Sequence, residues 1–172
     1  MTDDGSSALG SVQVLVTGDT HLRDGARLPV DLLALAARAD VILHTGDVVA
    51  GDVLDVLRAF APVTAVLGNN DDEFVGRLPE RAAVDLAGVR IGMVHDGGAA
   101  RGRPARLRAW FPDARVVLYG HSHQPELLDE EGLLVLNPGS PTQRRRSPNH
   151  TAAWLELRGG AVTAAHLVGI DR

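Results

Sequence analysis

The sequence predicts an α/β sandwich with mixed sheets, and three observations carry that expectation. The first third alternates short β-branched runs with Leu- and Ala-bearing segments at helical spacing. The last third breaks into short apolar runs separated by Gly or acidic turns. With 45% hydrophobic but only 3% aromatic residues in 172, the core must be built from Val, Leu, Ala and Ile, which suits helix-covered sheets.

Taken in order, residues 12–17 form an apolar, β-branched run that ends in Gly18-Asp19, and residues 41–43 repeat the pattern toward Gly46-Asp47. Between them, 30–39 has helical periodicity, so the three make a βαβ unit. A second helix is expected at 52–59, leading through Pro62 into a strand at 63–67. Residues 83–86 and 89–94 flank Ala87-Gly88 as a hairpin, and 103–111 reads as a helix with Pro104 in its first turn. A buried strand follows at 116–119. The runs at 127–128, 133–136, 152–157 and 162–167 are expected to be antiparallel strands, with Gly159-Gly160 as the last hairpin turn. Residues 1–10 are polar and Gly/Ser-rich and are expected to be a disordered leader; residues 11–172 are expected to form one domain.

Composition excludes several classes of function. The formal net charge of −5 and a pI near 5.7 speak against non-specific binding to nucleic acid or an anionic membrane, and for a small substrate. Having no cysteine, the chain has no disulfide framework, thiolate nucleophile or Cys-ligated metal, so any metal must be held by nitrogen and oxygen. The amino terminus is acidic and small rather than basic then apolar, and no apolar run approaches the roughly 18 residues that span a bilayer. A cytoplasmic protein is expected, and its oligomeric state stays open.

The chemistry-bearing residues sit where the strands end. Asp19-Thr20-His21, Gly46-Asp47, Gly68-Asn69-Asn70-Asp71, His95-Asp96 and Gly120-His121-Ser122-His123 each follow an apolar strand. In open α/β sheets the crevice beyond the carboxyl ends of the strands collects ligands, so these residues should converge. The Asp-x-His and His-x-His pairs let two side chains reach one ion from an extended segment or tight loop. Carboxylate oxygens with imidazole nitrogens and no sulfur select Mn, Fe, Ni, Zn or Mg.

These blocks, in this order and at these intervals, resemble the calcineurin-like metallophosphoesterases, and in length the small bacterial and archaeal phosphodiesterase branch. The resemblance spans residues 12–167. It implies two mixed sheets flanked by helices, a four-layer α/β/β/α sandwich. It also implies two divalent metal ions, Mn first among them: one held by Asp19, His21, Asp47 and His123, the other by Asp47, Asn69, His95 and His121. Asp47 would bridge the two, and Asp47, Asn69 and His95 would be the residues closest to catalysis. In-line attack on phosphorus by a metal-bridging hydroxide would hydrolyse a small phosphoester or nucleotide, because paired cations bring a water's pKa from 15.7 to about 7. The loop Asn137-Pro138-Gly139-Ser140 resembles one the branch keeps close to the site.

One departure bears on substrate. Asn70 stands where many larger members of the superfamily carry a histidine thought to protonate the leaving group, and an amide cannot do so. Diesters or esters with good leaving groups are therefore favoured. A phosphomonoesterase, a nucleotide pyrophosphatase and a non-catalytic scaffold of the kind a retromer subunit exemplifies remain alternatives, although His21, His95, His121 and His123 are all present, as an enzyme requires. His44 is expected in the core or behind the ligands rather than on a metal, and His150 and His166 to be structural or surface residues. The run Arg144-Arg145-Arg146 reads as a solvated loop or a grip on substrate phosphate. Arg101, Arg103, Arg106 and Arg108 are discounted in the same way. Asp96 either accepts from His95 or caps Arg103.

Overall fold

The computed structural model describes residues 10–171. The leader expected at 1–10 falls, apart from Gly10, outside the described residues. The chain forms two five-stranded mixed sheets. Strand β1 (Val12–Thr17) pairs in parallel with β2 (Val41–His44), and β2 with β3 (Val63–Ala65), while α1 (Val30–Ala36) and α2 (Gly51–Arg58) make the crossovers. The sheet is completed by β9 (His150–Arg158), antiparallel to β1, and β10 (Ala161–Ile170), joined to β9 at Gly159-Gly160. The second sheet runs β4 (Arg81–Leu86), β5 (Val89–Val94), β6 (Val116–Leu118), β8 (Leu133–Asn137), β7 (Glu126–Glu130). Helix α3 (Arg103–Trp110) connects β5 to β6.

Side-chain alternation makes these sheets into four layers. On β1, Leu15 faces out toward Leu32 of α1 and Leu54 of α2, while Val14 and Val16 face in. On β6 and β8, Leu118, Leu134 and Leu136 face in to meet them, and Val117, Leu133 and Val135 face out toward Leu107 of α3. One apolar layer is therefore shut between the sheets and one lies under each helical face. Gly92 of β5 is part of this design: a Cβ there would stand 2.5 Å from the Phe111 ring, so only glycine lets the end of α3 lie on the sheet.

Three expectations need correction. Helix α1 stops at Ala36 rather than 39, because Arg38 and Ala39 donate to Leu35 and Ala36, three residues back, tightening the last turn. Strand β3 ends at Ala65 rather than 67, since the Leu67 N–H leaves the ladder and donates to the Pro79 carbonyl. The late strands are not all antiparallel: β8 runs parallel to β6 and antiparallel only to β7. The last point follows from burial, because β8 is covered on both faces as parallel strands are. Among the described residues no helix is long and apolar enough to cross a membrane.

Candidate metal centre

The expected crevice forms at the carboxyl ends of β1, β2, β3, β5 and β6, where all the predicted ligand residues meet. Asp47 lies at its centre, with Oδ2 3.3 Å from His21 Nε2 and 3.4 Å from His95 Nε2. On one side His21 Nε2 is 3.1 Å from His123 Nε2, and Asp19 Oδ1 is 3.4 Å from the same His123 nitrogen. On the other, Asn69 Oδ1 lies 3.0 Å from His95 Nε2 and 2.9 Å from His121 Nδ1. Two donor clusters, Asp19 with His21 and His123, and Asp19 with Asp47 and His95, each draw their ligand atoms within 4.8 Å of one another.

The backbone reaches this geometry through left-handed turns rather than extended segments. Asp19, His21, Asp47, His121 and His123 all have positive φ, between 46° and 67°. Such residues cost strain that the rest of the fold must hold, and they concentrate at functional sites. Successive turns aim the paired side chains inward, so the sequence expectation of convergence holds while its extended alternative does not. Gly68 allows the closest approach: a Cβ there would overlap the Asp47 backbone nitrogen and Oδ1.

Neighbouring polar groups fix the donors. The Thr45 carbonyl can only accept, so His95 Nδ1 donates to it at 2.8 Å and Nε2 is left facing the crevice. The Gln143 carbonyl holds His123 Nδ1 in the same way. Asn70 gives both its backbone N–H and its Nδ2–H to the Asp47 carboxylate, each at 2.8 Å. Its amide thus orients a carboxylate and has no proton to lend.

Charge is unevenly compensated. Burial pushes the Asp19 carboxyl up to about 7, with the His95 charge only partly opposing it. For Asp47 burial is overruled by hydrogen bonds from His95 and Asn70, which hold it below the usual carboxylate range. Burial lowers His21, and takes His123 down to about 4, so both imidazoles are neutral donors. The His95 pKa is raised, because the Asp47 and Asp19 carboxylates outweigh its burial. Asp19 Oδ2 is buried without a hydrogen-bond partner among the described residues. A buried carboxylate oxygen without a partner costs free energy that a cation would relieve, so the donor set fits a nitrogen- and oxygen-ligated divalent metal.

The supporting contacts were not assigned from sequence, although the resemblance placed the loop at 137–140 near the site. Asp71, 1% exposed, accepts from the backbone nitrogens of Asp47 at 2.9 Å, Val49 at 2.8 Å and Gly68 at 2.7 Å, binding two ligand loops together. Its only signal is a carboxylate three residues after a strand-end glycine. Ser140 Oγ donates to the Asp19 carbonyl at 2.8 Å, Thr142 Oγ1 to the Thr20 carbonyl at 2.6 Å, and Asn137 Nδ2 to the Gly120 carbonyl at 3.1 Å. The loop at 137–140 therefore lies directly behind the ligands. His44 sits off the metal cluster as expected, fully buried, accepting from the Gly46 N–H and facing Thr20 Oγ1. Asp96 does neither of the two things expected of it: it accepts from the Gly98 N–H at 2.7 Å, a local turn. Arg103 and Arg106 are spent on the carbonyls of Gly98, Gly97 and Ala99, and Arg103 also on Tyr119 and Glu126. Among the late arginines, Arg144 is turned to Ser147, whereas Arg145 reaches the His121 carbonyl at 3.1 Å.

Comparison with known proteins agrees with this geometry. The family model described as the calcineurin-like phosphoesterase superfamily domain matches residues 12–160. A probable metallophosphoesterase of Methanothermobacter thermautotrophicus is 35% identical over 133 residues, 76% of this chain and 77% of that protein. Among solved structures, Vacuolar Protein Sorting 29 from Cryptosporidium parvum superposes with a TM-score of 0.75 at 23% identity, over 92% of this chain and 98% of that one. A novel archaeal phosphodiesterase superposes with a TM-score of 0.71 at 19% identity, over 91% and 99% of the two chains.

Proposed function

The chain belongs to the calcineurin-like phosphoesterase superfamily, and we propose that within it this protein is a phosphodiesterase working with two divalent cations, manganese foremost. One cation is assigned to Asp19, His21, Asp47 and His123, the other to Asp47, Asn69, His95 and His121. The observation that carries the assignment is Asp47 Oδ2, which stands almost equally far from His21 and His95, at 3.3 and 3.4 Å. When bound, a pair of such cations supplies a hydroxide nucleophile near neutral pH and offsets charge on the phosphoryl oxygens. The chain's own residues do the rest. Asn70 holds the shared carboxylate in one rotamer through two hydrogen bonds. Thr45 and Gln143 keep His95 and His123 in the donor tautomer. Asn69 contributes a neutral oxygen, which keeps the centre from becoming too anionic to accept a phosphate. With Asn70 occupied by Asp47, no side-chain acid serves the leaving group from that position, which favours diesters and good leaving groups over monoesters. A small phosphoester or nucleotide in the cytoplasm is the proposed substrate.

Likeness in shape to Vacuolar Protein Sorting 29 favours a second reading, a scaffold on the same fold. One assay separates them. Protein loaded with Mn²⁺ or Ni²⁺ should release nitrophenol from bis-p-nitrophenyl phosphate faster than from p-nitrophenyl phosphate, and chelation should abolish the reaction. Loaded protein that hydrolyses neither ester would sink the enzymatic reading.

A further inference from the structure

Beside the centre, on the His121 side, lies a cleft of about 560 Å³ lined by Ser122, Gln124, Arg145 and Arg146. We infer that this cleft is an anion subsite that seats a second, terminal phosphate of the substrate, so that the preferred diester is one whose spared arm ends in a phosphomonoester. The inference rests on the phosphodiesterase reading and narrows its substrate class.

Three observations converge on it. First, the two arginines here keep most of their donors free, whereas several arginines elsewhere are used within the protein. Arg58, Arg90, Arg103, Arg106, Arg108 and Arg115 each bind a carboxylate or carbonyl of the chain. Arg145 donates to one carbonyl, His121 O, and Arg146 has no hydrogen-bond or ion-pair partner among the described residues. A guanidinium carries five donors, so most remain free for a ligand. The chain as a whole carries a net charge of −5, yet this cleft is lined by two cations. Second, no carboxylate lines the cleft, while Ser122 Oγ, which accepts from Asn137 Nδ2 at 3.0 Å, keeps its hydroxyl proton free to donate. Third, Arg145 is held in a left-handed turn, φ 49°, with its guanidinium on the backbone of a candidate ligand. That contact places its guanidinium beside the centre. A phosphomonoester carries about −1.5 to −2 charges at pH 7 with three acceptor oxygens, matching two forked guanidiniums better than a singly charged diester would.

The test compares two esters of one nucleoside, thymidine 5′-(p-nitrophenyl phosphate) and its 3′-phosphorylated counterpart, on the metal-loaded protein. The phosphorylated ester should have at least a tenfold higher kcat/KM, mostly through KM. The ratio should fall to near one in Arg146→Ala and below one in Arg146→Glu, while Arg145→Lys should lower it only in part. Arg146 is exposed and has no hydrogen-bond or ion-pair partner among the described residues, so its variants should fold. A third ester whose 3′-phosphate is capped with a methyl group should resemble the unphosphorylated one; equal rates with capped and uncapped phosphate would assign the cleft to a nucleic-acid backbone and overturn the terminal-phosphate reading. A wild-type ratio near one, or a ratio that survives Arg146→Glu, overturns the subsite while leaving hydrolysis itself intact. If no ester turns over, calorimetry with thymidine 3′,5′-bisphosphate decides: binding that Arg146→Glu removes supports the subsite, and no binding by either protein refutes it.

Discussion

Asp71 accepts hydrogen bonds from three backbone nitrogens, so its replacement leaves Asp47, Val49 and Gly68 without partners in a buried place. At about 1 kcal/mol of net stability for each lost bond, Asp71→Ala should cost on the order of 2–4 kcal/mol in urea unfolding. It should also weaken metal binding, because the loops it ties together carry Asp47 and Asn69. A loss below about 0.5 kcal/mol would mean that those nitrogens find water instead. His44 offers a different readout. Burial takes its pKa down to about 3, against an unfolded value near 6.5. Between those two values the unfolded chain binds a proton that the folded chain refuses, so acid favours unfolding and the stability His44 allows at neutral pH is lost as pH falls. Measured against His44→Gln, the wild type's stability should fall with a slope approaching ~1.4 kcal/mol per pH unit from about pH 6 downward. A pH-independent difference between the two would show that His44 titrates alike in the folded and unfolded chain.

At the scale of elements, the sequence carries type and order well and direction poorly. The alternation in β1 and β2 and the helical spacing of α1 and α2 are local signals, and those elements appear where the pattern puts them. The five residues of β8 are buried on both faces, so no polar alternation reveals a register, and parallel pairing with β6 depends on contacts formed across the sheet. The premature ends of α1 and β3 likewise answer to hydrogen bonds with neighbours that periodicity does not encode. Packing of α3 depends on Gly92, whose missing side chain makes room for Phe111. Gly92→Ala should therefore cost about 1–3 kcal/mol as an overpacking change, read as a lowered thermal midpoint, while the metal content per folded chain stays at the wild-type value. An unchanged midpoint would show that the end of α3 is loosely seated.

For the whole molecule, the fold's contribution is to carry residues scattered from Asp19 to His123 into one crevice, and that much was legible because every ligand type follows a strand that ends on the same edge. What holds the candidate ligands there was not legible: the Thr45 and Gln143 carbonyls are backbone atoms, and the Asp71 and Ser140 side chains bind backbone groups, whose positions no side-chain pattern records. The orphaned, buried Asp19 Oδ2 also implies that the metal-free fold is under-stabilised. Saturating Mn²⁺, at about 100 times its Kd, should add about 2.7 kcal/mol, or roughly 5–10 °C in Tm for a domain of this size. Thermal unfolding with and without Mn²⁺ checks this, and a midpoint indifferent to the metal would contradict it. The bridge at Asp47 is the centre of the account, and counting ions tests it most directly. Elemental analysis of Mn-loaded protein should find two ions per chain in the wild type and fewer than one in Asp47→Ala, with His21→Ala keeping one. Two ions retained by Asp47→Ala would contradict the shared carboxylate on which both metal assignments depend.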